Sequence, residues 1–406
     1  MRIAIIGGGA SGLACCVALY RNARKKSKTI DVSIFEAKER VGKKILATGN
    51  GRCNLMNTDC SADFFSDPDF VKPSLKRYDT LSNLDFFSKA GLYTRCDEEG
   101  RVYPLSNQAS SVLDVLRMEC ESYGAKIYCD VNVSEVTKNG NGFLVNGDYF
   151  DRIVLCCGSK AGVKGFTSYE LIEKLGHRVI EPRPSLTKIC VKENKFTKSL
   201  KGIRSKADVT LYLNGSFVAK EQGEILFNEY GLSGIAVMQL SAFIARNRKA
   251  NYADYTITAD FVPDMDIKTL IENITALTQN RNNLKNEYLL CGFVPKKLGE
   301  MILKTLGTDL ARQVCTLSKK QISDIASRLK SFTFSVQDLR GFDDAQVVSG
   351  GADNIEFNPH TLESKKVKGL YCCGELLNVD GLCGGYNLLW AWSSARVCAE
   401  NITESI

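Results

Sequence analysis

The first thirty-five residues alternate between short apolar runs and one long amphipathic stretch. RIAII (residues 2 to 6) is apolar and rich in β-branched residues, which is typical of a buried parallel strand. LACCVALYRNARKK (13 to 26) has apolar residues along one side and basic residues in its last turn, as an amphipathic helix would. DVSIF (31 to 35) is again a short apolar run. The pattern predicts a strand, a helix and a second strand at the start of a parallel sheet.

The pattern changes between about residues 187 and 344. Four runs there have strand character: SLTKICV (185 to 191), KADVTLYL (206 to 213), YTITADFV (255 to 262) and LKSFTFSVQ (329 to 337). We predict that the last run returns to pair with the others, which gives a small β-domain from 187 to 265 and 331 to 344. Residues 266 to 330 have helical spacing instead, and Asp264 or Asp266 is a candidate cap at their start. We interpret them as a helical insert.

Composition limits the class of protein. The chain has 406 residues, of which 44% are apolar and 24% are charged, an ordinary balance for a globular protein of two or three domains. No apolar run approaches the roughly 18 residues that a membrane helix needs, and glycines interrupt the N-terminal run where a signal peptide would continue. We therefore expect a cytoplasmic protein with no membrane partner.

Cysteine and histidine usage narrows the chemistry. None of the sixteen cysteines stands in CxxC spacing, so we interpret them as small buried hydrophobic residues in a reducing compartment. His177 and His360 are the only histidines, and neither forms a cluster with cysteines at ligand spacing. This argues against a zinc site and against a histidine-based triad, and we expect no metal.

The turn after the first strand carries the strongest chemical signal. GGGASG (7 to 12) fits the GxGxxG pattern between a strand and a helix. Glycines at these positions make the tight turn, let the backbone approach a pyrophosphate and let the helix close on the strand. Glu36 ends the second strand and would hold the ribose hydroxyls. We predict a dinucleotide site that is contacted here by Gly7, Gly9, Ala10, Ser11, Gly12, Glu36 and Ala37.

Two later runs favour FAD over NAD. DRIVLCCGSKAG (151 to 162) and VKGLYCCGELLNVDG (367 to 381) are apolar strands that run into turns of small residues. Two-dinucleotide FAD enzymes use such late strands to return to the first sheet, where an acid after the glycine meets the ribityl chain or its phosphate. Within each adjacent cysteine pair, strand geometry points the side chains to opposite faces, so we expect burial rather than a disulfide. We predict FAD contacts from Cys157, Gly158, Gly374, Glu375 and Asp380.

The irregular stretch GKKILATGNGRCNLMN (42 to 57) follows the ribose acid along the chain. We expect it to pass along the pyrophosphate toward the isoalloxazine ring, with basic residues near phosphate and a glycine-rich turn wrapped closely against the ring. The residues concerned are Arg40, Lys43, Lys44, Thr48, Gly49, Asn50, Gly51, Arg52, Cys53 and Asn54.

A second glycine turn opens the last helical stretch, DGLCGGYNLLWAW (380 to 392). The N-terminus of the following helix would point at the N1 and C2 carbonyl edge of the flavin, which becomes anionic on reduction. The alternative is a glycine turn before a core helix in which Trp390 and Trp392 are packed, and both can hold at once. The predicted contacts are Gly384, Gly385, Tyr386, Asn387 and Leu388.

These stretches resemble one family of proteins. Four motifs occur in the family's order: GKKILATGNGRCNLMN, GRVYPLSNQASSVLDVL (100 to 116), GEILFNEYGLSGIAVMQLS (223 to 241) and GELLNVDGLCGGYNLLWAW (374 to 392). They are similar to motifs of bacterial FAD-dependent oxidoreductases described as aminoacetone-oxidase-like or as 3-dehydro-bile-acid Δ4,6-reductases. The resemblance implies an α/β fold, with a Rossmann-like FAD-binding domain of the two-dinucleotide-binding flavoprotein type from 1 to 186 and 345 to 406.

The same resemblance implies details of the site. The Val133 backbone would contact adenine, and the loop after Gly162, shorter than is usual in the family, would leave the site more open. Hydride would pass from NAD(P)H through the flavin to an activated alkene, an enone of a small apolar substrate such as a 3-oxo steroid or bile-acid derivative. Tyr386, Tyr103 and Arg52 are candidates for the catalytic acid by motif position. The alternatives are an FAD-dependent amine or aminoketone oxidase, an RNA-modifying enzyme and a flavin redox sensor.

Most of the net charge of +7 lies between residues 281 and 330, where ten lysines and arginines face four acids. A basic helical segment could bind nucleic acid. The segment has few aromatic residues to stack against single-stranded bases. We therefore favour a solvated helix surface, or a lid that attracts anionic substrates and NADPH, over a nucleic-acid partner. The sequence gives no indication of oligomeric state.

Overall fold

The computed structural model describes residues 1–163 and 165–406, which form two compact units. One unit comprises Met1–Arg183 and Val347–Ile406, and the other comprises Pro184–Gln346. Each unit has its own cluster of buried apolar side chains.

The secondary structure follows in chain order. The strands are β1 (Arg2–Ile6), β2 (Asp31–Phe35), β3 (Met56–Asn57), β4 (Thr94–Cys96), β5 (Arg101–Pro104), β6 (Lys126–Tyr128), β7 (Val136–Asn139), β8 (Gly142–Val145), β9 (Asp148–Phe150), β10 (Arg152–Leu155), β11 (Val179–Ser185), β12 (Ile189–Val191), β13 (Arg204–Leu213), β14 (Ser216–Asn228), β15 (Gly231–Ser233), β16 (Tyr255–Asp260), β17 (Phe332–Leu339), β18 (Val347–Ala352) and β19 (Leu370–Cys372). The α-helices are α1 (Ala10–Lys25), α2 (Lys43–Ala47), α3 (Pro68–Arg77), α4 (Thr80–Ser88), α5 (Ala109–Ser122), α6 (Ser168–Lys174), α7 (Asn194–Ser199), α8 (Ile235–Arg246), α9 (Ile267–Asn280), α10 (Lys296–Thr305), α11 (Lys319–Lys330) and α12 (Tyr386–Glu404).

A five-stranded parallel sheet organises the first unit, in the order β19-β10-β1-β2-β6. Ile5 of β1 is paired with Ile34 of β2 on one side and with Val154 of β10 on the other. The central strands are apolar along nearly their whole length because both faces of a parallel sheet are covered. The predicted strand-helix-strand start is confirmed, and so is the return of the two late strands to the first sheet.

Helices α1 and α12 pack against each other within the same core. Trp390 and Trp392 of α12 are fully buried, as the core-helix interpretation expected. Their indole N–H groups donate to the carbonyl oxygens of Gly374, at 3.0 Å, and of Leu55, at 2.9 Å. Since a buried indole N–H needs an acceptor, these bonds tie α12 to two loops that the sequence places at the cofactor.

The two cysteine pairs lie at strand ends. The prediction that both cysteine pairs lie inside strands is wrong. Strand β10 ends at Leu155, before Cys156 and Cys157, and β19 ends at Cys372, before Cys373. Cys156 and Cys373 are buried with their sulfur atoms 3.3 Å apart, and Cys157 is half-buried. None of the sixteen cysteines takes part in a disulfide within the described residues.

The second unit contains a closed barrel in the order β12-β15-β14-β13-β16-β17. Strand β17 pairs with β16 and β12, which confirms the predicted return of the run LKSFTFSVQ. Between β16 and β17, the chain forms α9, α10 and α11, so the helical character predicted there is confirmed. The Asp266 side chain accepts the backbone N–H of Thr269 and caps α9, as Asp and Asn commonly do.

Smaller elements complete the molecule. Strands β3, β5 and β4 form one sheet, β7, β8 and β9 a second, and β11 and β18 a third. In the part of the chain that the structure describes, no helix is both long and apolar enough to cross a membrane.

Candidate functional site

The carboxyl ends of the parallel strands bring the predicted phosphate and ribose contacts together. The Gly7 N–H donates to the Phe35 carbonyl, and the Cys156 N–H donates to the Ile6 carbonyl, both at 2.8 Å. The Cys373 N–H donates to the Leu155 carbonyl at 3.1 Å. Ligands of open α/β sheets bind at this edge, so the topology alone selects it.

Glu36, the predicted ribose contact, stabilises the glycine turn. Its Oε2 accepts the Gly8 N–H and its Oε1 accepts the Lys38 N–H, each at 2.9 Å. A carboxylate has about four lone-pair sites, so both oxygens keep the capacity to accept from ribose hydroxyls. The Val131 N–H donates to the Glu36 carbonyl, which brings the segment of Val133 beside this acid.

Helix α1 begins with open space above its first turn. Gly9 is its N-cap residue, no side chain caps the helix, and no acid lies in the first turn. A Cβ placed on Gly9 would meet no atom within 4 Å, whereas a Cβ on Gly12 would lie 1.9 Å from the Gly7 carbonyl oxygen. Gly12 is therefore required by packing inside the protein, and Gly9 leaves room for a group outside it.

Glu375 and Lys44 form an ion pair in this region. Lys44 Nζ lies 2.8 Å from Glu375 Oε2 and 3.4 Å from Ser159 Oγ. Gly374 is fixed beside them, because its N–H donates to the Ser394 hydroxyl at 3.0 Å. The structure thus brings together an acid and a base that the sequence assigned to the cofactor separately, and each is the other's partner.

The turn after α2 runs through left-handed backbone. Gly49, Asn50, Gly51 and Cys53 have φ angles of 56°, 54°, 82° and 58°. Glycine adopts this region freely and asparagine tolerates it, but for cysteine it is strained, and such strain is concentrated at functional sites. Thr48 closes the turn at its start by donating from Oγ1 to the Ile45 carbonyl at 2.6 Å.

The second glycine turn packs against this first one. A Cβ on Gly385, whose φ is 106°, would lie 2.5 Å from the Met56 carbonyl carbon and 2.8 Å from Asn54 Oδ1. The Asn57 amide also donates to the Gly384 carbonyl at 3.1 Å. Contact with the protein therefore already explains why residue 385 is glycine.

Helix α12 starts at this turn with unsatisfied donors. Gly385 is the N-cap residue, and no side chain caps the helix. Asn387 instead binds the preceding loop: its Oδ1 accepts the Gly381 N–H and its amide donates to the carbonyls of Gly381 and Leu382. Leu388 lies half-buried in the first turn. The start of α12 thus offers backbone N–H groups and the positive end of a helix dipole.

The three candidates for the catalytic acid lie around these turns. Tyr386 is buried, with its ring centroid 4.6 Å from that of Phe64, and desolvation raises the pKa of its hydroxyl to about 12. Tyr103 is also buried, and the Arg52 guanidinium lies 5.3 Å from its ring centroid. At neutral pH Tyr386 is a phenol, which is the form that can donate a proton.

Several predicted contacts lie apart from these turns. Lys43 pairs with Glu39 at 2.7 Å on the surface, and Ala37 and Arg40 are also exposed. Asp380 is fully buried, and its backbone exchanges hydrogen bonds with Ser66. In the loop after Gly162, Lys164 lies outside the described residues.

Burial keeps the thiols of Cys53 and Cys157 protonated. Desolvation raises the pKa of the Cys53 thiol to about 11 and that of Cys157 to about 12. Since the thiolate is the nucleophile, neither is activated for covalent chemistry. Across residues 1–163 and 165–406, no group of three or more His, Cys, Asp or Glu side chains is arranged to hold a metal ion.

The residues present fit FAD. The open first turn of α1 suits a pyrophosphate, and Glu36 suits a ribose. At the other end of the site, Asn54 Oδ1 is buried and accepts no hydrogen bond from the described residues. A buried acceptor needs a donor, which the imide N–H of an isoalloxazine would supply.

Sequence reasoning missed two residues that build the site. Asn57 ends the motif GKKILATGNGRCNLMN without a predicted role, and it joins the two glycine turns. Arg95 lies opposite Tyr103 on the β4–β5 hairpin, with its guanidinium 5.5 Å from the ring centroid. No motif marks Arg95, because its place depends on strand register.

A Rossmann sheet whose late strands return to a glycine turn and a ribose acid defines the class of this protein, which is an FAD-dependent oxidoreductase. A family model described as the HI0933-like protein Rossmann domain matches residues 1–401. The chain belongs to this family, so the predicted fold class and family resemblance are confirmed.

Relatives with assigned activities match along the whole chain. A 3-dehydro-bile acid delta(4,6)-reductase of Clostridium scindens is 37% identical over 413 aligned residues, covering 99% of each chain. A ribosomal RNA dihydrouridine synthase of Haemophilus influenzae is 31% identical and covers 98% of each chain. Another of Escherichia coli is 29% identical and covers 98% of this chain and 97% of the relative. Among solved structures, 3-ketosteroid delta1-dehydrogenase of Sterolibacterium denitrificans is similar with 10% identity and a TM-score of 0.49, over 100% of this chain and 99% of that one.

Replacing Gly9 by alanine should separate cofactor binding from folding. The φ of −84° suits alanine and no described atom is in the way, so the apoprotein should keep its melting temperature. The methyl group would occupy the approach to the helix N-terminus, and we expect FAD to bind at least about tenfold more weakly, or about 1.4 kcal/mol. Titration of apoprotein with FAD measures this.

Gly12→Ala is the matched control. Its Cβ would meet the Gly7 carbonyl oxygen, so this variant should lose melting temperature even without cofactor. If Gly9→Ala binds FAD as tightly as the wild type, the pyrophosphate does not lie at the start of α1.

Proposed function

We propose that this protein reduces a carbon–carbon double bond that is conjugated to a carbonyl group. The proposal is supported by what the relatives' activities share. A 3-dehydro bile acid carries a 3-oxo group conjugated to the bonds that a delta(4,6)-reductase saturates, and dihydrouridine forms by saturating the uracil C5–C6 bond beside the C4 carbonyl. In both cases a hydride adds to a carbon conjugated with the carbonyl, at the β position or, in the 4,6-diene, at the vinylogous δ position, and a proton adds to the other carbon of the same double bond. One site can therefore serve either substrate class.

Our first candidate substrate is a small apolar enone, such as a 3-oxo steroid or bile-acid derivative. The observation that favours it is 37% identity to the bile acid reductase along 99% of both chains. When bound, FAD supplies the hydride, and NAD(P)H is the proposed source of electrons. A cytoplasmic location belongs to the same proposal, because that compartment holds reduced nicotinamides.

The protein's own groups would bind the substrate, orient it and supply the proton. The backbone N–H groups and dipole at the start of α12 favour negative charge at the edge they face. Tyr386 remains protonated because burial raises its pKa, and it lies beside the two packed glycine turns. We assign it the role of proton donor, with Tyr103 as the alternative donor.

Our second candidate substrate is a uridine of ribosomal RNA. Two relatives act there, and the helical insert supplies cations that could bind phosphate. Six of its basic side chains are exposed and have no carboxylate partner among the described residues. They are Arg281, Lys285, Lys297, Lys304, Lys319 and Lys320.

The reaction is tested anaerobically with purified, FAD-loaded protein. We expect NADH or NADPH to bleach the flavin, and a 3-oxo-4,6-diene bile acid then to restore its absorbance and gain two hydrogens by mass spectrometry. An amine oxidase would instead be bleached by an amine or aminoketone alone, and a redox sensor would show no turnover with any of these compounds. Either result, combined with no reoxidation of the reduced flavin by ribosomal RNA, would exclude the proposed reduction.

Tyr386→Phe tests the proton donor. Loss of a general acid should lower kcat about a hundredfold or more while FAD stays bound. Because the Tyr386 pKa is raised to about 12, the wild-type rate should show no alkaline loss from this group up to about pH 10. Tyr103→Phe is the matched variant, since it also removes one buried phenol hydroxyl. A normal kcat in Tyr386→Phe with a low kcat in Tyr103→Phe would transfer the role to Tyr103.

A triple variant tests the RNA substrate. Replacing Lys304, Lys319 and Lys320 by glutamine should weaken binding of a ribosomal RNA fragment and lower the salt dependence of that binding by up to about three units of slope. Turnover of the bile-acid enone should not change. Lys296, which lies 3.7 Å from Glu287, provides the control: Lys296→Gln removes a charge that is already paired. Equal RNA binding by the triple variant and the wild type would show that these lysines of the insert do not bind RNA.

A further inference from the structure

The side chains of two arginines lie against the same aromatic ring at the edge of the candidate site. The guanidinium of Arg52 lies 5.3 Å from the ring centroid of Tyr103, and that of Arg95 lies 5.5 Å from the same centroid. Tyr103 itself is buried. Two positively charged side chains are therefore positioned by the same buried ring.

Three chain segments build this arrangement. Arg95 on β4 lies directly opposite Tyr103 on β5 in the antiparallel pair. Arg52 follows the left-handed turn, whose Gly49 would bring a Cβ within 3.8 Å of the Tyr103 ring. The Leu55 N–H donates to the Val102 carbonyl at 2.8 Å and fixes the turn to β5. The two arginines are thus placed by the same backbone that forms the proposed flavin wrap.

Both guanidiniums are held by neutral acceptors. Arg95 donates from Nε and Nη2 to Asn107 Oδ1, at 3.2 and 2.6 Å, and Arg52 donates from Nε to the Gly49 carbonyl at 3.4 Å. Neither has a carboxylate within 4 Å among residues 1–163 and 165–406. An amide orients a guanidinium without cancelling its charge, so the remaining N–H donors keep their full attraction for an anion.

Several other arginines of the same unit are instead paired with carboxylates. Arg21 pairs with Glu119 at 2.6 Å, and Arg77 pairs with Glu400 at 3.0 Å. On the same hairpin as Arg95, Arg101 pairs with Glu99. A guanidinium with no carboxylate partner keeps N–H donors and a full charge that an anionic group can pair with.

We propose that Arg52 and Arg95, whose side chains both lie against the Tyr103 ring, form an anion-recognition element. This element would bind a phosphate or carboxylate group of the substrate. The inference rests on the proposed function in one respect, which is that the adjoining turns bind the reacting part of the substrate. It adds a specificity element that acts away from the double bond. Each candidate substrate carries an anionic group that could bind here: the side-chain carboxylate of a bile acid, or a backbone phosphate of RNA.

The test uses variants that change charge in two different ways. Arg52→Gln and Arg95→Gln remove one guanidinium each. Asn107→Asp keeps Arg95 in place but gives it a carboxylate partner, and aspartate tolerates the left-handed φ of 55° at this position. Arg117→Gln on α5 is the control, because it removes the same charge from an exposed residue that belongs to neither strand of the hairpin.

The bile-acid arm compares an enone bile acid with its methyl ester. The three site variants should raise KM for the free acid by about tenfold to a hundredfold, and in Arg95→Gln and Asn107→Asp KM for the neutral ester should stay within about twofold. Arg117→Gln should change neither. An equal rise in KM for acid and ester, or no rise for either, would show that the arginines do not bind the bile-acid carboxylate.

The RNA arm measures the salt dependence of binding to a ribosomal RNA fragment. Each arginine variant should lower the slope by about one unit if it loses one phosphate contact. If both arms fail while KM for NADPH rises and KM for NADH does not, the pair binds the electron donor and the proposal is wrong.

Direct binding keeps the inference testable if neither substrate is turned over. Inorganic phosphate should raise the melting temperature of the FAD-loaded wild type and of Arg117→Gln, but not that of Arg52→Gln, Arg95→Gln or Asn107→Asp. Such a result would support the anion site even if the proposed reaction failed. The same shift in all five proteins, or none in the wild type, would overturn it.

Discussion

Helices α1 and α12 each begin at a glycine with no capping side chain, and the site depends on this shared constraint. An uncapped helix start leaves backbone N–H groups that need acceptors, and it carries the positive end of the helix dipole. The two helices pack on each other, and Trp390 and Trp392 bind α12 to the loops around Gly374 and Leu55. The donors are therefore fixed before any ligand arrives, which is the condition for electrostatic preorganisation.

The charged side chains of the site differ in whether an opposite charge neutralises them. Lys44 and Glu375 satisfy each other, whereas Arg52 and Arg95 are held only by a carbonyl and an amide. A paired charge contributes little to recognition, because a ligand must first displace its partner. The distinction separates a structural ion pair from cations that remain available to a substrate.

Much of the fold could be predicted because local periodicity and global topology agree. The apolar run of β1, the glycine turn and the helix that follows define the first sheet, and β10 and β19 repeat its strand character. The partners of long side chains could not be predicted. Lys43 pairs with Glu39 four residues away, and Arg95 meets Tyr103 only because of the β4–β5 register. Likewise, Gly385 is required by the Met56 backbone, a contact between segments more than three hundred residues apart.

The central claim is that the substrate double bond must be polarised by a conjugated carbonyl. The most direct measurement is the rate at which anaerobically reduced, FAD-loaded enzyme is reoxidised by an enone steroid and by the matching allylic alcohol. The two compounds keep the same ring skeleton and double bond, but only the enone can accept a hydride at the β carbon and a proton at the α carbon. The account predicts rapid reoxidation by the enone and none by the alcohol. Equal rates with both compounds would contradict it.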